Sequence, residues 1–169
     1  MTTPDRDRDQ AGRPRNARPR DAFGRPLRHG ETGEPGIPDD LSLAPAEAVA
    51  LAQRLLESAR PFQAHEVLEA SWKSAPPAER DLWQGLAQLA VGLTHAQCGN
   101  ARGAAALLRR GAGRVSGYLP GGDGAGGPHG IDVAGISRAA GELAGRIERD
   151  GLGSVPPGDL RLRLRAAAG

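Results

Sequence analysis

Between Asp81 and Arg102 the chain runs for twenty residues without a charged side chain, and this stretch limits the fold more than any other. About 20 apolar residues cross a bilayer as a helix. Gln84, Gln88, His95, Gln97 and Asn100 oppose that reading, because each would need a partner inside hydrocarbon. A helix that is apolar around most of its circumference, yet carries amides, fits the buried axis of a helical bundle. Leu82, Leu86, Leu89 and Leu93 make one stripe, which Trp83, Ala87 and Ala90 widen.

The rest of the chain has to supply elements that cover this axis. Its 169 residues suffice for one domain. With 25 Gly, 14 Pro and 3% aromatics, the core is modest and its ends are loosely organised. The formal charge is +2, and every basic residue but Lys73 is arginine. Cys98 is the sole cysteine, which excludes an internal disulfide and a cysteine-based zinc cluster.

No apolar run follows Met1, so a secretory signal is not expected and the chain reads as cytoplasmic. Residues 1–28 hold eight Arg and four Asp, whereas 29–44 hold Glu31, Glu34, Asp39 and Asp40 and no basic residue. The halves cancel in charge and can fold back on each other loosely. Large apolar residues are too few there to offset the entropy of ordering, so 1–40 reads as a disordered or extended tail.

Helical periodicity begins at Pro45, which suits a first helical position. Ala48, Val49, Leu51, Ala52, Leu55, Leu56 and Ala59 fall on one side, with Glu47, Gln53, Arg54 and Glu57 on the wet side. A short second helix spans about Pro61 to Lys73, and Pro76-Pro77 stops it. The central helix runs from near Ala78 to Gln97 or Cys98, and Asn100 can cap a fourth that reaches Tyr118. Residues 119–130 read as a loop. A fifth helix from near Asp132 has the stripe Val133, Ile136, Ala140, Leu143 and Ile147, with Glu142 between Arg138 and Arg146 on its wet side. Leu160, Leu162 and Leu164 then alternate with Arg161, Arg163 and Arg165, the period of an extended segment laid on the body. The expected organisation is a tail at 1–40, a bundle at 41–150 and an extended segment at 151–169.

One group of polar residues stands out. Gln84, Gln88 and His95 share a face of the central helix within about 40°, with no charged residue among them. On the second helix His65 and Glu69 project inside the arc that holds Phe62, Leu68 and Trp72, so burying Trp72 and Phe62 partly buries them too, while Glu66 lies on the flank beside Lys73. A carboxylate in a core must be paired or hydrogen-bonded, and His65, Gln84, Gln88 or His95 can supply the donor. Such a cluster is either a network that fixes helix docking or the lining of a small pocket. A third reading takes His65-Glu66-Val67-Leu68-Glu69 as a variant of the zinc-hydrolase motif H-E-x-x-H. His65, Glu69 and His95 would then hold a divalent metal, and Glu66 would act as base on bound water.

Other motifs carry less. Gly122-x-Gly124-x-x-Gly127 has no preceding strand, which a dinucleotide site requires. Cys98 reads as a small buried residue rather than a nucleophile paired with His95, and Ser71 and Ser116 have no recognisable base. Arg102, Arg109, Arg110 and Arg114 form an arc of about 140° that, with the Arg-rich tail, offers contact to phosphates. Neither has the aromatic residues that single-strand binding uses.

The runs FQAHEVLEASW (62–72) and WQGLAQLAVGLTHAQCGNARGAAALLRR (83–110) resemble the prokaryotic family known as domain of unknown function 309. Its pattern H-E-x-x-E-x-x-W falls on His65, Glu66, Glu69 and Trp72. Its Q-G-L-x-Q-L-A falls on Gln84 to Ala90, followed by His95 and then Gly99, Asn100, Gly103, Ala104, Leu107 and Leu108. The resemblance covers about residues 43–120, Gly130 to Val133 is similar to the family's lead into its last helix, and the leader resembles that of an actinobacterial branch. It implies an all-helical fold and no particular activity. Gln63 stands where relatives often show Glu or His, which weakens a metal reading.

The sequence thus predicts an all-α bundle of about five helices that is not a membrane protein. Its function is expected to be non-enzymatic, with His65, Glu66, Glu69, Trp72, Gln84, Gln88 and His95 forming a structural network or a small pocket for a ligand, a protein partner or a second copy of the chain. The alternatives are a metal-dependent hydrolase on the same residues, otherwise without cofactor, and nucleic-acid binding through the arginines.

Overall fold

Helix starts in this chain are written by residues that remove or satisfy the backbone donors a helix leaves open. In the computed structural model, which describes residues 19–21, 24–28, 30–33, 36–38, 40–119 and 126–166, α1 (Pro45–Glu57) and α2 (Pro61–Ser74) open on proline. A 3₁₀ turn over Pro77–Glu79 leads into α3 (Arg80–Gln97). The Asn100 side chain accepts from Gly103 N at 2.9 Å to begin α4 (Ala101–Ser116), and Asp132 accepts from Gly135 N at 3.0 Å to begin α5 (Val133–Asp150). Among the described residues these are the five α-helices, and no helix is long and apolar enough to cross a membrane.

Consecutive helices pack on one another in chain order, and α3 is the axis. Leu82, Trp83, Leu86, Leu89, Ala90 and Leu93 are all buried on it, as its uncharged length demands. Each fully buried leucine contributes about 1.5–3 kcal/mol relative to exposure. The α3–α4 seam is held close by glycine. A Cβ on Gly111 would lie 2.7 Å from the Gly85 carbonyl oxygen, and one on Gly85 would lie 2.9 Å from Val115.

The C-terminal segment closes the bundle. Leu162 and Leu164 are buried while Arg161, Arg163 and Arg165 face out, as their alternation predicts. Asp132 N donates to Leu164 O at 2.8 Å, and Leu164 N donates to Gln53 Oε1 at 2.6 Å, linking α1 to the chain end across 111 positions. This corrects the placement of Gln53 on the wet face of α1. It is buried, because the segment laid across α1 brings a backbone N–H that only a side-chain acceptor can satisfy. Ala59 also differs from expectation. It lies beyond α1 with φ 57°, in the turn ahead of Pro61, and its carbonyl accepts from Gln97 Nε2.

Among the described residues the leader doubles back on itself, with an antiparallel bridge between Arg20 and Pro26 and Asp21 N donating to Arg25 O at 3.0 Å. Residues 1–18 and 120–125, including Gly122 and Gly124 of the glycine-rich motif, lie outside the described residues.

Candidate functional site

The second helix turns a different face to the core than its large residues suggest. Ala64, Val67 and Leu68 are buried, with Gln63, whereas Phe62, His65, Glu69 and Trp72 are only half-buried along the flank. Of the arc expected to hold Phe62, Leu68 and Trp72, Leu68 is fully buried, and the two rings are half-buried with His65 and Glu69 at the edge, because small and branched residues let α2 approach α3 closely.

That edge forms a continuous polar-aromatic strip. His65 Nε2 stands 3.7 Å from Glu69 Oε2, and Lys73 Nζ is 3.5 Å from Glu69 Oε1. Glu69 is 37% exposed, so water supplies what a buried carboxylate would have needed from the protein. The His65 ring is more enclosed. Burial lowers its pKa, Glu69 opposes the shift and Lys73 adds to it, while Nδ1 is buried without a hydrogen-bond partner. Its ring centroid lies 6.0 Å from that of Phe62.

The leader touches this strip at Phe62 and Glu66. Arg20 places its guanidinium 4.9 Å from the centroid of the Phe62 ring, a cation–π contact, and also donates to Gly24 O. Gly24 sits flat against the same ring at φ 76°, where any side chain would overlap it. Further along, Ile37 N donates to Glu66 Oε2 at 3.4 Å. The Cys98 side chain beside the Arg25 guanidinium raises its pKa further. Cys98 is therefore an exposed thiol at the end of α3, not the buried residue expected; the helix ends there and turns its last position outward.

The remaining residues of the expected cluster lie apart from this strip. His95 Nδ1 pairs with Asn100 Nδ2 at 2.8 Å. Because Asn100 Oδ1 accepts from Gly103 N, its amide nitrogen must face the imidazole, which fixes Nδ1 as the acceptor. His95 thus braces the α3–α4 junction. Gln84 and Gln88 are half-buried on the same side of α3, and Gln88 Oε1 is buried without a partner. No hydrogen bond joins His65 or Glu69 to Gln84, Gln88 or His95, so the single network expected across the two helices does not form. Among the described residues no three His, Cys, Asp or Glu side chains converge to hold a metal ion. The set His65, Glu69 and His95 does not fit one, and Glu66 is engaged by the leader backbone.

On α4 the arginine arc is half spent on ion pairs. Arg109 grips Glu148 with two bonds of 2.7 and 2.6 Å, and Arg114 Nη1 reaches Asp81 at 2.6 Å.

Two groupings escaped the sequence reading. Glu79 Oε2 accepts from Trp83 Nε1 at 3.2 Å and meets His129 Nε2 at 2.9 Å, with the two rings 5.8 Å apart. His129 comes from a stretch read as loop, fifty positions away, so only the fold could join it to Glu79. The second is a groove of about 600 Å³ between α5 and the C-terminal segment, lined by six arginines and three carboxylates. Its signal was present in the alternating Leu and Arg residues, but a lone extended segment does not reveal what it faces.

These features define an all-α bundle whose second helix carries a polar-aromatic strip that the leader touches at Phe62 and Glu66. Residues 49–107 match the family described as Domain of unknown function (DUF309). Over 48 residues it is 46% identical to the uncharacterized protein YpuF of Bacillus subtilis (strain 168). The aligned stretch is 28% of this chain and spans 28% of that relative's length. No solved structure matches the chain.

Proposed function

We propose that this protein is a non-enzymatic interaction domain whose α2 strip, Phe62, His65, Glu66 and Glu69, receives a polypeptide segment, and that its own leader is the resident occupant. The observation that carries this reading is the seating of leader backbone on the strip: Gly24 lies flat on Phe62, and Ile37 N–H is directed to Glu66. Recognition through an aromatic platform and a carboxylate aimed at main-chain N–H suits a segment read by its backbone and by one arginine. A partner with an Arg-x-x-x-Gly segment would compete with Arg20 and Gly24 for the same places.

Trypsin tests this, because cleavage after Arg20 and Arg28 reports whether the leader is held. Phe62→Ala in the full chain should speed those two cleavages several-fold, while cleavage after Arg138 on α5 stays unchanged. Equal rates in the parent and the variant would refute the proposal.

A further inference from the structure

We infer that the groove between α5 and the C-terminal segment binds a small phosphate-bearing anion. The groove is built wholly outside the family-matched segment and is independent of the α2 strip.

Residues 161–165 alternate in burial, with Leu162 and Leu164 in the core and Arg161, Arg163 and Arg165 exposed in the lining of the groove. Same-side residues on such a segment stand about 6.6 Å apart. The row is fixed in place by the bonds that Leu164 makes to Asp132 N and Gln53 Oε1. Arg138, Glu142 and Arg146 on α5 form the facing wall, with Leu143 and Leu162 also in the lining.

Most of the groove's negative charge is already committed. Asp159 holds Arg146 at 2.7 Å, and Arg146 also donates to Ser154 O at 2.8 Å. The Asp132 carboxylate caps α5. Among the described residues Arg138, Arg161, Arg163 and Arg165 make no ion pair, and Glu142 is the lining carboxylate that remains free. Six guanidiniums against three carboxylates leave the lining with a net charge of +3; the unpaired guanidiniums repel one another, and an anion between them removes that repulsion. Guanidinium forks match phosphate oxygens in geometry as well as charge. The volume lies within the range of about 300–1,000 Å³ for small-ligand sites. A nucleic-acid backbone fits less well: Glu142 sits in its path, and the α4 arginines that would extend the contact are tied to Glu148 and Asp81.

The experiment is calorimetric titration of the full chain with inorganic pyrophosphate at constant ionic strength. Saturable one-to-one binding is expected, weakened about tenfold or more by the double variant Arg161→Gln, Arg163→Gln. Those side chains face out, so the melting temperature in chloride should not fall, and relief of their mutual repulsion can only raise it. Arg102→Gln with Arg110→Gln on α4 should leave affinity as it was, and Glu142→Gln should bind at least as tightly as the parent. The inference is overturned by the absence of saturable binding, or by equal loss in the α4 double variant. Retention of a short DNA duplex without pyrophosphate binding would also overturn it and assign the arginines to nucleic acid.

Discussion

Gly111→Ala and Gly113→Ala change the same residue type on the same helix, two positions apart, and should move stability in opposite directions. Helix propensity favours alanine over an interior glycine by about 0.8–1 kcal/mol, and at Gly113 nothing lies within 4 Å of the added methyl. That substitution should stabilise by nearly the full amount. At Gly111 the new Cβ would fall 2.7 Å from the Gly85 carbonyl oxygen and 2.8 Å from Leu89 Cδ2. Leu89 can rotate, but the carbonyl is helix backbone, so α3 and α4 must part by several tenths of an ångström. A gap of 0.5–1 Å forfeits about a quarter to a half of each dispersion contact across the seam, and overpacking of this kind costs about 1–3 kcal/mol, occasionally more. With the propensity gain subtracted, a net loss of up to about 2 kcal/mol is expected. Urea unfolding followed by circular dichroism measures both variants against the parent at constant slope. If Gly111→Ala is as stable as the parent or more so, the close backbone crossing of α3 and α4 is not what the seam depends on.

Gln53→Ala strands the buried N–H of Leu164 and should cost about 1–3 kcal/mol, with faster amide exchange at Leu164. Glu57→Ala, which removes only the exposed carboxylate bonded to Gln53 Nε2, should stay within about 0.5 kcal/mol; unchanged exchange at Leu164 in the first variant would count against the link. Glu79 is held below its ordinary value of 4.5, first by the His129 hydrogen bond and further by Trp83, with burial opposing. A carboxyl whose folded pKa is depressed stabilises the fold above its unfolded pKa and loses that contribution as pH falls through the folded value. Glu79→Gln should therefore lower the melting temperature near neutral pH and converge on the parent in acid; a constant offset across the range would refute this.

Much of the helical core was determined by sequence alone. Twenty uncharged residues could be accommodated only by an apolar helix with neighbours on most sides, and prolines, Asn100 and Asp132 mark where helices begin because their chemistry acts within one turn. The stripes on α3 and α5 bury the residues their periodicity assigns. Period two at the C-terminus likewise sorted Leu162 and Leu164 from the arginines.

Only the tertiary structure decided which partner each polar residue meets. Periodicity gives the angle of a side chain about its own helix but not the rotation of that helix against its neighbours. The face that α2 buries therefore turned from Phe62 and Trp72 toward Ala64 and Val67, and the expected cluster separated into the α2 strip and the His95–Asn100 brace. Gln53 with Leu164, Glu79 with His129, and the arginine row with α5 each join residues on separate elements. A residue's local spacing is fixed by covalent geometry, whereas these meetings depend on how whole elements pack, and that is set by the sum of contacts over the entire core.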